Sequence, residues 1–111
     1  MRANFNPWVP NKNDYLARLQ VAIEHLHNCG ALYRETVPVE EVFEGRTIWK
    51  GEVEVFDLHG HDKATVCYGW SHREGKGDKG ERFVTVLQIP PATSPDTAVK
   101  VAIVAEVRGK K

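Results

Sequence analysis

The sequence predicts a single α+β domain with an N-terminal helix, a four-stranded antiparallel meander and a C-terminal helix, with one or both helices packed on one face of the sheet. Three observations predict this fold. The chain has 111 residues, which is enough for one hydrophobic core. Apolar residues recur with helical spacing before Gly30 and with a period of two after it. Turn residues then separate the period-two segments from one another.

Residues 1–12 are predicted to form an irregular arm, because two prolines in this stretch prevent a helix. The arm carries two large aromatic residues, Phe5 and Trp8. Such residues indicate that the arm packs against the domain or against a second subunit. A flexible tail is the alternative. The folded domain is expected to occupy residues 13–111.

An amphipathic helix is predicted over residues 14–29. Asn13 is a favourable start signal, and Gly30 suits the left-handed residue that ends many helices. His25 and His27 fall on the polar side of the helix, where solvation is expected. The apolar face is formed by Leu16, Leu19, Ile23 and Leu26.

Period-two alternation predicts strands at residues 33–43, 46–58, 63–72 and 82–89. Glu44 and Gly45 supply a tight turn after the first strand, and residues 59–62 supply the second turn. Pro38 lacks an amide donor, which places the first strand at a sheet edge or at a bulge. In the second strand the apolar face changes near Val55, which predicts a β-bulge there.

The C-terminal segment, residues 95–108, allows two interpretations. Ser94 followed by Pro95 and Asp96 is a typical helix start, and three alanines support a helix. The β-branched residues between 99 and 104 also fit a fifth strand. We predict a helix, with the strand as the alternative.

Composition limits the classes of function. Lys plus Arg and Asp plus Glu both number 15, so the chain has no net positive field to attract nucleic acid. Nucleic-acid binding is therefore disfavoured, although a local basic strip could still form from Lys50, Lys63, Arg73 and Arg82. The absence of a long apolar run and of a signal-peptide pattern predicts a cytoplasmic protein without membrane contact. Cys29 and Cys67 are expected to be free thiols.

One polar cluster lies at the second turn, where Asp57, His59 and His61 precede Asp62. Imidazole and carboxylate groups can act together as general acid and base, so His59, His61 and Asp57 are catalytic candidates. One histidine would be the general base, Asp57 or Asp62 would orient it, and Cys67 or His72 would complete the site. Solvated turn residues are the simpler interpretation, because Gly60 breaks the strand geometry that would pair the histidines. No metal site and no cofactor are predicted.

A second cluster is aromatic and lies on neighbouring strands: Trp49, Phe56, Tyr68 and Trp70. Core packing accounts for part of it. We expect any ligand pocket at the sheet end that holds Trp70, His72 and Glu81, with Trp49 nearby and residues 75–80 as a glycine-rich lid. The turn at residues 59–62 lies at the opposite end of the sheet, too far away to share one site.

Three segments of the chain carry a resemblance to known proteins: Trp49-x-Gly51-x-Val53-Glu54-Val55-Phe56-Asp57-Leu58-x-Gly60-His61, Cys67-Tyr68-x-Trp70-Ser71-His72 and Glu81-Arg82-Phe83-Val84. With these segments the chain resembles small uncharacterised bacterial proteins of the integron gene-cassette type. The resemblance implies a short, self-contained domain and brings no established reaction or cofactor.

Three functional hypotheses follow from these observations. The first is a binding or interaction module that forms a homodimer through an exposed sheet face and the arm, since two helices on one face would leave the other face uncovered. It could also bind a small molecule. The second is a small enzyme with a His/Asp site. Nucleic-acid binding is third.

Overall fold

The structure, a computed structural model, describes residues 12–73 and 81–109. It contains two helices and four strands, in the predicted order. The strands form one antiparallel sheet in the order β1-β2-β3-β4. The predicted fold class is confirmed. The elements are α1 (Lys12–His27), β1 (Gly30–Phe43), β2 (Arg46–His59), β3 (Val66–Arg73), β4 (Glu81–Leu87) and α2 (Pro95–Gly109).

The C-terminal segment is a helix, so the alternative of a fifth strand is wrong. Ser94 caps α2: its hydroxyl accepts a hydrogen bond from the Thr97 amide at 3.3 Å. The Thr97 hydroxyl in turn accepts a hydrogen bond from the Ser94 amide at 2.9 Å. This reciprocal pair satisfies amides at the start of the helix and outweighs the strand preference of the β-branched residues that follow. Neither α1 nor α2 is long and apolar enough to cross a membrane.

The first helix has slightly different bounds from those predicted. It begins at Lys12, inside the predicted arm, and the rest of the arm, residues 1–11, lies outside the described residues. It ends at His27, because Asn28 adopts the left-handed conformation (φ 54°) that was expected at Gly30. Gly30 therefore begins β1 instead of ending the helix.

The hairpin of β1 and β2 turns at Glu44 and Gly45, which both have positive φ (52° and 77°), as the predicted tight turn requires. The predicted bulge lies in the neighbouring strand. The register shifts between Tyr33 and Glu35 of β1, opposite Val55, whereas β2 alternates regularly at this point. The apolar face of β2 changes because both of its faces are buried.

The two helices cover opposite faces of the sheet, so the prediction that only one face is covered is wrong. On one face, α1 packs Leu19 and Ile23 against Phe56 and Cys67. On the other face, Ala98 and Val99 of α2 belong to a core cluster with sheet residues that include Val53, Val55, Tyr68 and Trp70. The reason is that successive β3 residues are apolar on alternate faces, and each face needs a cover. The homodimer was expected because one face of the sheet would be uncovered, and the structure removes that reason.

The centre of the sheet is only partly paired. β2 pairs with β3 over four positions, from Glu54 opposite Gly69 to Asp57 opposite Val66. Beyond Glu54 the β1–β2 hairpin continues to its turn, while β3 continues with β4 alone. A gap consequently opens between the two strand pairs, and this gap positions the site described next.

Candidate ligand-binding site

Two tryptophans meet across the gap between β2 and β3. The ring centroids of Trp49 and Trp70 are 5.6 Å apart, and the ring planes are inclined at 67°. This edge-to-face arrangement is favourable for aromatic rings. Gly51 makes room for it, because a Cβ atom at that position would come within 3.0 Å of the Trp49 ring. The structure thus brings together two of the four residues predicted for a ligand site.

The tryptophan pair lines a cavity of about 730 Å³, which we call the α2 cavity. It lies between α2 and β4 and reaches round the edge of β4 to Thr85, Leu87 and His27. Its walls are mostly apolar. Arg82, Glu106 and His27 are the charged or titratable side chains that line it. The apolar wall includes Val84, Val86, Val99, Ala102 and Ile103.

A second, smaller cavity of about 340 Å³ lies on the other side of the tryptophan pair, in the gap itself, and we call it the interstrand cleft. Its lining is polar. Tyr15, from α1, forms hydrogen bonds with Ser71, and burial raises the pKa of the Tyr15 hydroxyl. The other polar side chains of the cleft are Lys12, Lys50, Glu52 and Glu54.

The cleft contains one buried carboxylate. Glu54 is only 1% exposed, and Lys12 donates to it at 2.7 Å. The hydroxyl of Thr36 donates to its other oxygen. Burial alone would lower the pKa of Lys12, but the hydrogen bond and the negative charge of Glu54, helped by Glu52, raise it. Glu54 is therefore a satisfied structural charge, as a buried carboxylate needs to be.

The polar turn after β2 does not form a catalytic arrangement. Nδ1 of His61 accepts the backbone amides of Lys63 and Ala64, both at 3.1 Å, which fixes the loop before β3. Asp57 is paired with Arg34 instead of with a histidine. His59 is exposed. Nδ1 of His61 is thus engaged by the backbone, with the carboxylate of Asp62 4.0 Å away, and the described contacts assign His61 a structural role.

Sequence reasoning missed His27, which was expected to be solvated. Its Nε2 atom lies 2.9 Å from the hydroxyl of Thr85 on β4, and its ring packs edge-on to His61 with centroids 6.3 Å apart. Burial, with a smaller contribution from the charge of His61, lowers the pKa of His27. The sequence offered only a weak signal for this contact. His27 is the last residue of α1, directly before the left-handed Asn28, and a side chain at that position can reach the sheet.

Acidification is expected to destabilise the fold through His27. Because the pKa of His27 is lower in the folded chain than its ordinary value of 6.5, the unfolded chain binds protons more readily. The stabilisation is thus complete above about pH 6.5 and is lost as the pH falls below that value. Urea unfolding between pH 7.5 and 5 measures the effect, and His27→Gln should flatten the pH dependence.

The matched control is His25→Gln, since His25 is exposed on the same turn of α1. It should leave the pH dependence unchanged. An identical slope in the wild type and in His27→Gln would contradict the assignment.

Cysteine or metal chemistry is not supported at these positions. Burial raises the pKa of the Cys67 thiol to about 12, so the thiol is protonated at neutral pH and cannot complete a nucleophilic site. Among residues 12–73 and 81–109, no group of three or more His, Cys, Asp or Glu side chains is placed to hold a metal ion.

The remaining predicted site residues are His72 and Glu81. They lie on β3 and β4, in adjacent pairs of the register: His72 is opposite Arg82, and Glu81 is opposite Arg73. Their side chains, like the predicted lid at residues 75–80, lie outside the described part of the structure. Arg82, their neighbour, does line the α2 cavity.

A scan against protein-family models found no match to this chain. Searches of curated proteins and of solved structures found no significant match either. Any statement about function consequently rests on the site itself.

Proposed function

We propose that this protein is a small-molecule-binding module whose ligand occupies the α2 cavity. One observation carries the proposal: a cavity of about 730 Å³, with apolar walls, meets an edge-to-face tryptophan pair. Ligand sites are typically concave, mostly apolar and in the range of about 300–1,000 Å³. Two core elements, α2 and the sheet, form its walls, so the site is held by regular structure.

The residues that line the α2 cavity indicate which class of ligand it would bind. Valine side chains from both walls and Ile103 of α2 favour an apolar body, and the Trp49–Trp70 pair favours an aromatic ring. Arg82 and Glu106 supply charge at only two positions of the lining. A compact aromatic molecule with one polar end therefore fits this site better than a sugar or a nucleotide, which need many polar partners.

The enzyme hypothesis has less support. The catalytic candidates Asp57, His59 and His61 have separate partners or face solvent, and Cys67 is a protonated core thiol. The polar groups of the interstrand cleft also satisfy one another. General acid–base catalysis requires a base within hydrogen-bond reach of a substrate proton, and none of the three candidates lines the described cavities.

Nucleic-acid binding ranks below both. Lys50 lies near the hairpin turn and Lys63 follows the opposite end of β2, about 30 Å away at the usual rise along a strand. Lys63 thus lies apart from Lys50, so the four basic residues do not all belong to one strip that could follow a phosphate backbone.

A cytoplasmic location and an integron-cassette origin stay parts of this proposal. The free thiols of Cys29 and Cys67 support a reducing compartment. Self-association is a separate proposal, because it is argued from the edge of the sheet and not from ligand binding.

Binding of a neutral naphthalene fluorophore, 6-propionyl-2-(dimethylamino)naphthalene, tests the proposed function. We expect saturable fluorescence enhancement with the wild type. Ala102→Phe and Val86→Phe fill the cavity from α2 and from the sheet, and each should weaken binding at least tenfold. Ala17→Phe adds the same bulk at an exposed position of α1 and should leave binding unchanged.

The folded state of each variant is checked by urea unfolding. If both folded cavity variants bind the fluorophore like the wild type, the proposal is wrong. Loss of binding in Glu54→Gln alone would place the ligand in the interstrand cleft and would equally overturn it.

A further inference from the structure

β4 forms an edge of the sheet, and two of its residues, Thr85 and Leu87, also line the α2 cavity. β4 is the last strand of the sheet, and no strand in the described part of the chain pairs with its outer side. The amide of Gln88 donates to Val66 on β3 at 2.9 Å. Bonding alternates along antiparallel strands, so Val84 and Val86 direct their backbone groups to β3. Phe83, Thr85 and Leu87 direct theirs outward.

The two edges of the sheet differ sharply in composition. β1, the other edge strand, contains Pro38 and two register irregularities, and it carries several charges. Such features prevent another strand from pairing with an edge. β4 has none of them between Phe83 and Leu87, where every residue is uncharged and favours β-structure. One edge of the sheet is thus protected, and the other is left suitable for pairing.

The free edge is also complementary to itself. Around Thr85 the residues are arranged almost symmetrically, with Val84 and Val86 on either side, then Phe83 and Leu87. If two copies align antiparallel with Thr85 opposite Thr85, each Val84 faces a Val86 and each Phe83 faces a Leu87. These are the aromatic and β-branched cross-strand pairs that stabilise sheets, and no like charges oppose each other.

An apolar surface continues from this edge onto α2. Val101 and Ala105 line the α2 cavity and also a second apolar groove of about 440 Å³ on the outer side of the helix. Val104, in the same groove, is exposed. A twofold axis through Thr85, perpendicular to the sheet, would set the α2 helices of two copies side by side on one face.

We infer that the protein is a homodimer in which two β4 strands pair antiparallel about Thr85 and extend the sheet from four to eight strands. The occupant of the edge is a second copy of this chain. The interface differs from the sheet face and arm expected from the sequence. Because Thr85 and Leu87 also line the α2 cavity, the second copy would lie beside that cavity.

Sedimentation equilibrium and amide hydrogen exchange of the full chain test this inference together. The mass should be twice the monomer value of 12.5 kDa. The outward amides of Phe83, Thr85 and Leu87 should be as protected as the inward amides of Val84 and Val86. A monomer at all concentrations would overturn the inference, and so would a dimer whose outward amides exchange freely.

Substitutions at the axis separate strand pairing from other causes. Thr85→Pro removes an outward amide that β3 does not use, which an edge strand tolerates, and should give a monomer. Thr85→Val keeps the amide and should remain dimeric. A dimeric Thr85→Pro would contradict the inference, and if that variant fails to fold, the exchange pattern of the wild type decides.

Discussion

Phe56→Ala is expected to lower the free energy of unfolding by about 3–5 kcal/mol, the usual cost of removing a large aromatic side chain from a core. Phe56 is fully buried and is the largest of the fully buried side chains. It packs in the cluster beneath α1, and its ring meets Tyr33 edge-on at 5.9 Å. Its loss would leave a void between α1 and the centre of the sheet, which rigid strands on both sides prevent from closing.

Phe43→Ala is the matched control, because Phe43 lies at the end of the hairpin and is 62% exposed. It should change the free energy of unfolding by no more than about 0.5 kcal/mol. Urea denaturation with a fixed m-value compares the two variants. Equal losses would show that the core beneath α1 is not organised as described.

Lys12→Met is expected to lower the free energy of unfolding by about 2 kcal/mol. The change leaves the Glu54 carboxylate, which is almost completely buried, without its cation at 2.7 Å. Removing one member of a fully buried ion pair costs about 3–5 kcal/mol. The side chain of Lys12 is 46% exposed, so water can partly replace it, and the expected cost is correspondingly smaller.

A double-mutant cycle with Glu54→Gln isolates the charge interaction. In the Glu54→Gln background the residue at this site is neutral, so Lys12→Met should cost clearly less than in the wild type. The same cost in both backgrounds would mean that Lys12 stabilises the protein through its alkyl chain and not through the ion pair.

Local signals were sufficient for the order of the elements. The apolar repeat around Leu19 and Ile23 predicts α1, the Glu44–Gly45 dipeptide predicts the hairpin turn, and Ser94 predicts the start of α2. Each of these signals acts within a few residues, through hydrogen bonds or backbone conformation that the sequence states directly. They are confirmed in the structure.

The sequence does not determine how the two helices and the sheet are layered. Alternating apolar residues along β3 show that both faces can be buried, but they do not say which helix covers which face. The prediction of one covered face failed for this reason. The left-handed conformation that ends α1 is found at Asn28 and not at Gly30. Asn and Gly both tolerate this conformation, and only tertiary packing decides between them.

The site was predictable in part. Trp49 and Trp70 were singled out as aromatic residues on neighbouring strands, but their contact depends on how far β2 and β3 remain paired. No short-range pattern specifies that length. The wall that α2 supplies, including Val99 and Ile103, required knowledge of the face on which α2 packs. His27 was missed because its partner Thr85 is 58 residues away in the chain.

An NMR titration with the naphthalene fluorophore measures the central claim most directly, since it reports where the ligand lies. The account predicts that the indole N–H of Trp70 and the methyl groups of Val84, Val86 and Val99 shift together, with one dissociation constant. The amides of the turn at residues 59–62 should remain unchanged. Shifts confined to that turn, or to the interstrand cleft around Tyr15 and Ser71, would contradict a ligand site in the α2 cavity.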